Sequence, residues 1–205
     1  MDSASIKQLC RPAAFDHATA DFTLRETHIS WVILCGDYAY KLKKPVDFGF
    51  LDFSSLAQRK HYCEEELRLN RRFSPDVYLA VVSITQGPDG PAVGGEGEII
   101  DYAVKMRRFD EAQLLDNIAA RDGLDAQLVR DIARELARLH ADLPRCFPDP
   151  AGTDPGSPAA LNAALQQNFT QLREYPLRGA EQQQLELVER WACARYSMLL
   201  PSMQQ

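Results

Sequence analysis

No basic segment followed by an apolar core opens this sequence, and no apolar run is long enough to span a bilayer. Neither a secreted precursor nor an integral membrane protein is expected, and the cytoplasm is the expected compartment. The five cysteines, Cys10, Cys35, Cys63, Cys146 and Cys193, form no CxxC pair. An odd, scattered set excludes a disulfide framework and a zinc site built on paired cysteines, and reads as reduced thiols. Cys35 and Cys63 are expected as small core residues. Positive charge is short as well: 23 Lys and Arg against 29 Asp and Glu give a net charge of -6. That balance argues against a broad nucleic-acid or anionic-membrane surface. What remains, 45% hydrophobic and 25% charged over 205 residues, is a globular composition with room for one large domain or two small ones.

The patterning divides the chain. "FTLRE" alternates, "ISWVILC" is a β-branched and aromatic run, and Gly36-Asp37 signals a turn. "YAYKLKK" alternates again, with Tyr38, Tyr40 and Leu42 on one face and Ala39, Lys41 and Lys43 on the other. Pro45 ends that strand. A helix is expected from an N-cap at Ser54 or Ser55 to about Phe73, with Tyr62, Leu69 and Phe73 on its apolar face. "VYLAVVSIT" and "IIDYAVKMRRF" read as strands, joined by the Gly/Pro-rich hairpin connection "QGPDGPAVGGEGE". Beyond "KMRRFDEAQ" the signal is helical: Leu114 to Ala120, the amphipathic "DAQLVRDIARELARLHADL", then about 159–172 and 180–200, with a Pro/Gly-rich loop between. A strand-rich half with one helix thus precedes an all-helical half, which makes the fold class α+β.

Lys41, Lys43 and Lys44 stand at the end of a strand, and edge-strand charge that discourages aggregation is the plain reading. The following helix adds a second observation. Of Glu64, Glu65 and Glu66, only Glu66 falls four after Tyr62, three before Leu69 and seven before Phe73, which turns it toward the sheet. An inward carboxylate meeting a strand lysine is an ion pair able to hold an ammonium beside a phosphate. Lys43 shares the face of Lys41 and competes for that role. Glu65 is the fallback for Glu66. Lys44 is expected to be solvated, and Glu64 to belong to an exposed, paired acidic run.

The stretch from "ETHISWVILCGDYAYKLKKPVDFGFLDFSSLAQRKHYCEEELRLNRRFSPDVYLAVVSIT" to "YAVKMRRF", followed by "RELARLH", resembles the aminoglycoside phosphotransferase-like kinases. The likeness is to the bacterial type often fused to a C-terminal P-loop ATPase domain. The resemblance implies a kinase-like small lobe over residues 1–110, with a roughly five-stranded antiparallel sheet and one helix. Residues 111–205 would begin an incomplete helical large lobe. It implies ATP as the bound nucleotide, with Lys41 gripping its phosphates and Glu66 as the helix partner. Thr27, His28 and Ser30 would cover the nucleotide from the turn "ETHIS", although this turn lacks the glycines of protein kinases. Met106 and Arg108 in "KMRRF" match the hinge that receives adenine.

The resemblance also exposes an absence. The "HGD"-like motif, its Asn and the later metal-binding Asp of such kinases do not occur. "HAD" at 140–142 comes too early, and "DFG" at 47–49 lies between the lysine strand and its helix, where a metal motif does not belong. The expected reading is the N-terminal portion of a longer protein or a truncated gene product. It would bind ATP without transferring phosphate, and the catalytic base and Mg²⁺ ligands would lie outside it. The small-molecule acceptor is not legible. A non-catalytic regulatory or scaffold module beside a P-loop ATPase domain is the alternative. Nucleic-acid binding is not expected: residues 41–72 hold eight Lys and Arg against five Asp and Glu, without stacking aromatics on one face.

Overall fold

Gly36 adopts a φ of 53° in the two-residue turn between β2 (Ser30–Cys35) and β3 (Tyr38–Lys43). A left-handed first position is what a two-residue hairpin asks for, and glycine meets it without steric cost. The computed structural model describes residues 1–17, 19, 21–144 and 154–203. After helix α1 (Ser3–Leu9) and β1 (Phe22–Glu26), the hairpin strands are followed by α2 (Leu56–Asn70), β4 (Tyr78–Gly87), β5 (Gly90–Val93) and β6 (Glu98–Arg107). All six strands form one curled antiparallel sheet in the order β1-β2-β3-β6-β4-β5. Helices α3 (Leu115–Arg121), α4 (Ala126–Asp142), α5 (Pro158–Arg173) and α6 (Ala180–Met203) complete the described α+β chain.

One face of the sheet is the main core. Trp31, Ile33 and Cys35 of β2, Tyr40 and Leu42 of β3, Ile84 of β4 and Ala103 of β6 pack against Ile6, Leu9 and Ala14 of the N-terminal segment. Strand alternation sends the intervening residues to the opposite face. Helix α2 crosses there, over β6 and β4. Ser55 caps it, accepting from the Gln58 amide at 3.1 Å.

The chain divides into two compact units, Met1–Leu139 and His140–Gln205. In the second unit α5 packs on α6, burying Phe169 and Ala192, and Arg173 pairs with Glu189. No helix among the described residues is long and apolar enough to cross a membrane.

Several local expectations are corrected. The sheet has six strands, because the Gly/Pro-rich connection contains β5, zipped to β4 from Ile84↔Val93 to Gly87↔Gly90. Its glycines permit the close approach: a Cβ on Gly97 would stand 2.4 Å from the Gln86 carbonyl oxygen. Helix α2 ends at Asn70, and of Tyr62, Leu69 and Phe73 only Tyr62 is half-buried, its ring 5.0 Å from that of the buried Phe53. Leu69 and Phe73 are exposed, while Arg59 and Cys63 are buried. The phenylalanines of "VDFGFLDF", Phe48, Phe50 and Phe53, are expected from the sequence to pack their loop over the sheet; Phe53 is buried, but Phe48 and Phe50 are exposed. Most of the Pro/Gly-rich loop expected after α4, with Cys146, lies outside the described residues.

Candidate functional site

The buried face of α2 is built on a charge. Arg59 sits at its N-terminal end with Nε 2.8 Å from Oδ1 of the fully buried Asp101 on β6, and its Nη1 donates to the Phe53 and Ser54 carbonyls at 3.0 Å. The amino group of Met1 lies 2.9 Å from the other Asp101 oxygen. These bonds satisfy a buried carboxylate on every side and fix the helix to the sheet. Seven residues after Arg59, two turns along the same face, comes Glu66.

Glu66 receives two cations. Lys41 Nζ donates to Oε1 and Lys43 Nζ to Oε2, each at 2.8 Å. Burial pushes the Glu66 carboxyl up, but the hydrogen bonds from the two lysines outweigh it and hold the group below the usual carboxylate range. The lysines differ in surroundings. Lys41 is 30% exposed; Lys43 is 7% exposed, with its ammonium 4.8 Å from the Phe53 ring centroid. The neighbouring acids do not share this site: Glu65 pairs with Arg68 at 2.6 Å and Glu64 approaches Lys60 at 3.7 Å. Lys44, expected to be solvated, is mostly covered. It pairs with Glu26 at 2.6 Å and lies 5.4 Å from the Trp31 ring centroid.

Beyond α2 the same sheet face opens into a cleft of about 520 Å³. Val32, Leu34 and Ala39 line it from the hairpin, Met106 from β6, and Tyr78 from β4. Lys41 reaches it; Lys43 and Glu66 do not line it. Thr27, His28 and Ser30 line it from the β1–β2 turn, and Arg107, Arg108 and Phe109 from the segment after β6. The cleft therefore joins an apolar sheet surface to a cationic edge, a pairing suited to a ligand with a flat apolar part and an anionic part. Burial, followed by the Glu66 charge, raises the Tyr78 phenol, with Lys41 opposing. Arg25 and Glu111, also lining residues, pair at 3.1 Å.

Lys41, Thr27, His28, Ser30, Met106 and Arg108 thus line one cleft, and Glu66 touches it through Lys41, while the rivals Lys43 and Glu65 do not line it. Their capacities are unequal. Thr27 Oγ1 accepts from the Ile29 amide at 3.3 Å and the Ser30 amide at 3.0 Å, and lies 2.9 Å from Ser30 Oγ. Those two amides serve the turn itself, so the glycine-free turn holds its shape by a threonine side chain. Thr27 and His28 are exposed and Ser30 is buried. At the end of β6 and just beyond it, the Arg107 amide donates to the Val77 carbonyl and the Arg108 amide to the Asp37 carbonyl, both at 2.8 Å. An amide donor for a bound base would have to come from beyond Arg108.

Apart from Met106, the apolar wall carries no assignment in the sequence. Its signal was present in the alternation that separates Lys41 from Tyr40 and in the pairings Val32↔Lys41, Leu34↔Ala39 and Ala39↔Met106. Arg25 and Tyr78 carry no such signal, because only the tertiary fold brings β1 and the start of β4 to this place.

No family model and no solved structure matches the sequence. Similar curated proteins are uncharacterized proteins of two strains of Mycobacterium tuberculosis and one of Mycobacterium bovis. Each is 34% identical over 155 residues, 74% of this chain and 28% of the relative. The chain spans 28% of the length of the curated relatives it matches.

Proposed function

We propose that this chain is the nucleotide-binding portion of a phosphotransferase of the aminoglycoside phosphotransferase-like kinase type. It binds ATP in the cleft between the β1–β2 turn and the segment after β6. The observation that carries the reading is Lys41: its ammonium is held 2.8 Å from Glu66 by a helix on one side and faces the cleft on the other. That is how a strand lysine is presented to nucleotide phosphates when a helix glutamate orients it. Val32, Leu34, Ala39 and Met106 offer the base an apolar surface, and His28 adds a donor around the phosphates. The sequence of a lysine strand, a glutamate helix and a strand leading out past the cleft supports the same reading.

Among the described residues no group of three or more His, Cys, Asp or Glu gathers that could hold a metal ion. In this reading the Mg²⁺ that accompanies the nucleotide takes its protein ligands, and the acceptor hydroxyl its base, from outside this chain. The chain orients the phosphates and offsets their charge, with transfer to a small-molecule hydroxyl completed elsewhere in a longer protein.

Titration calorimetry with ATP tests this. Wild type is expected to bind one ATP saturably. Lys41→Met is expected to weaken binding about ten- to hundredfold, the worth of a charge-assisted contact, and to leave the melting temperature within a few degrees. Absence of binding by wild type overturns the proposal. Binding without transfer by the longer protein favours a non-catalytic module.

A further inference from the structure

Two lysines share one carboxylate, and they do not share it equally. Lys41 and Lys43 are two apart on β3 and straddle Glu66, each taking a different oxygen at 2.8 Å. Two ammoniums and one carboxylate leave a net charge of +1 in the group. Lys43 is the enclosed member, seated between Glu66 and the buried Phe53 ring and turned away from the cleft. Lys41 is the member that lines the cleft.

We propose that Lys43 is the permanent partner of Glu66, and that its presence frees Lys41 to pass its ammonium from Glu66 to a phosphate oxyanion of the cleft ligand. This rests on the phosphate-binding reading above. The physical reason is the fate of Glu66 when Lys41 leaves. A carboxylate 12% exposed that loses its sole cation is stranded, and the cost opposes ligand capture. With Lys43 on the second oxygen, Glu66 remains paired throughout. The lysine that moves is the one with solvent access, and the lysine that stays is already desolvated. Lys43 is therefore a positioning residue that sets how available Lys41 is, without itself touching the ligand.

The test uses the whole chain as wild type, Lys41→Met, Lys43→Met and Lys43→Arg, with ATP as the probe and acid unfolding as a readout that needs no ligand. In acid unfolding, Lys41→Met is expected to keep the wild-type midpoint within a few tenths of a pH unit, because Lys43 still holds Glu66. Lys43→Met is expected to move it clearly upward. In binding at pH 7, Lys43→Met is expected to lose about tenfold in ATP affinity although Lys41 is intact, and Lys43→Arg to recover most of it. The deficit of Lys43→Met is expected to disappear when Glu66→Gln is added, because no carboxylate then holds Lys41; a loss of packing alone would persist in that background. Equal or larger acid sensitivity in Lys41→Met overturns the assignment, as does wild-type ATP affinity in a folded Lys43→Met. If wild type binds no ATP, the nucleotide reading fails while the acid comparison still judges which lysine is permanent. If Lys43→Met does not fold, the acid midpoint of Lys41→Met decides alone.

Discussion

Glu66 stays ionised in a mostly covered position because two ammoniums stand on its two oxygens. Its folded-state acidity lies below that of an unfolded carboxyl, near pH 4.3. The stabilisation is therefore complete above that value and lost as pH falls through the lower folded one. Glu66→Gln is expected to lower stability by about 3 kcal/mol near neutrality, since it leaves the enclosed Lys43 without a counter-charge. The gap to wild type is expected to stay flat above about pH 5 and to narrow below about pH 4, as denaturant unfolding across pH would show. A second row of groups looks reactive and is not. Asp16, His17 and Cys35 line up at 3.1 and 3.9 Å, but Cys35 is fully buried and burial pushes its thiol up to about 11. Cys63, also buried, is pushed up to about 12. Pulsed iodoacetamide at pH 8 with peptide mapping is expected to leave both unmodified in the folded chain and to modify both on unfolding. Rapid labelling of native Cys35 would contradict this. Cys35 is legible as a core residue from the apolar run before it, and Cys63 only from the general preference of free cysteine for the interior. Lys44 was not, because its cover comes from Trp31 and Glu26, which local pattern does not bring together.

At the scale of elements, α2 couples to the sheet through ions more than through apolar side chains. The sequence gives Arg59 no mark that separates it from the exposed Lys60 beside it, so the inward face was read from Tyr62, Leu69 and Phe73. Glu66 turns inward by either reckoning, which is why the residue was legible although its neighbours were not. Asp101 is equally silent in sequence, yet it anchors Arg59 at 2.8 Å. Asp101→Ala is expected to cost about 3–5 kcal/mol in urea unfolding by leaving the Arg59 guanidinium buried without its partner; a loss under about 1 kcal/mol would refute that role. Strand β5 escaped notice for another reason: its residues are Gly, Pro, Ala and Val, a composition that marks turns, and only pairing with β4 makes it a strand.

At the scale of the molecule, alternation and turn chemistry in residues 22–43 were enough to specify the hairpins, and with them the face on which the cleft lies. Those elements are local, so their physics is written in adjacent residues. The helical part is less readable. Helix α4 has a strongly amphipathic pattern, but Val129 and Leu136 are each 48% exposed. Pattern alone says that a stripe exists, and not what it meets. The relatives matched are more than three times longer than the matched stretch, so activity, acceptor and partners belong to proposals about a longer protein.

The central claim is that Lys41 stands at the phosphate end of a nucleotide site. The most direct test is acylation of the wild-type chain with an acyl-phosphate derivative of ATP, which transfers its acyl group to a lysine amine beside the phosphates, followed by peptide mapping. The account predicts acylation concentrated on Lys41 and suppressed by excess ATP, with the enclosed Lys43 unlabelled. Labelling spread over exposed lysines and indifferent to ATP would contradict it.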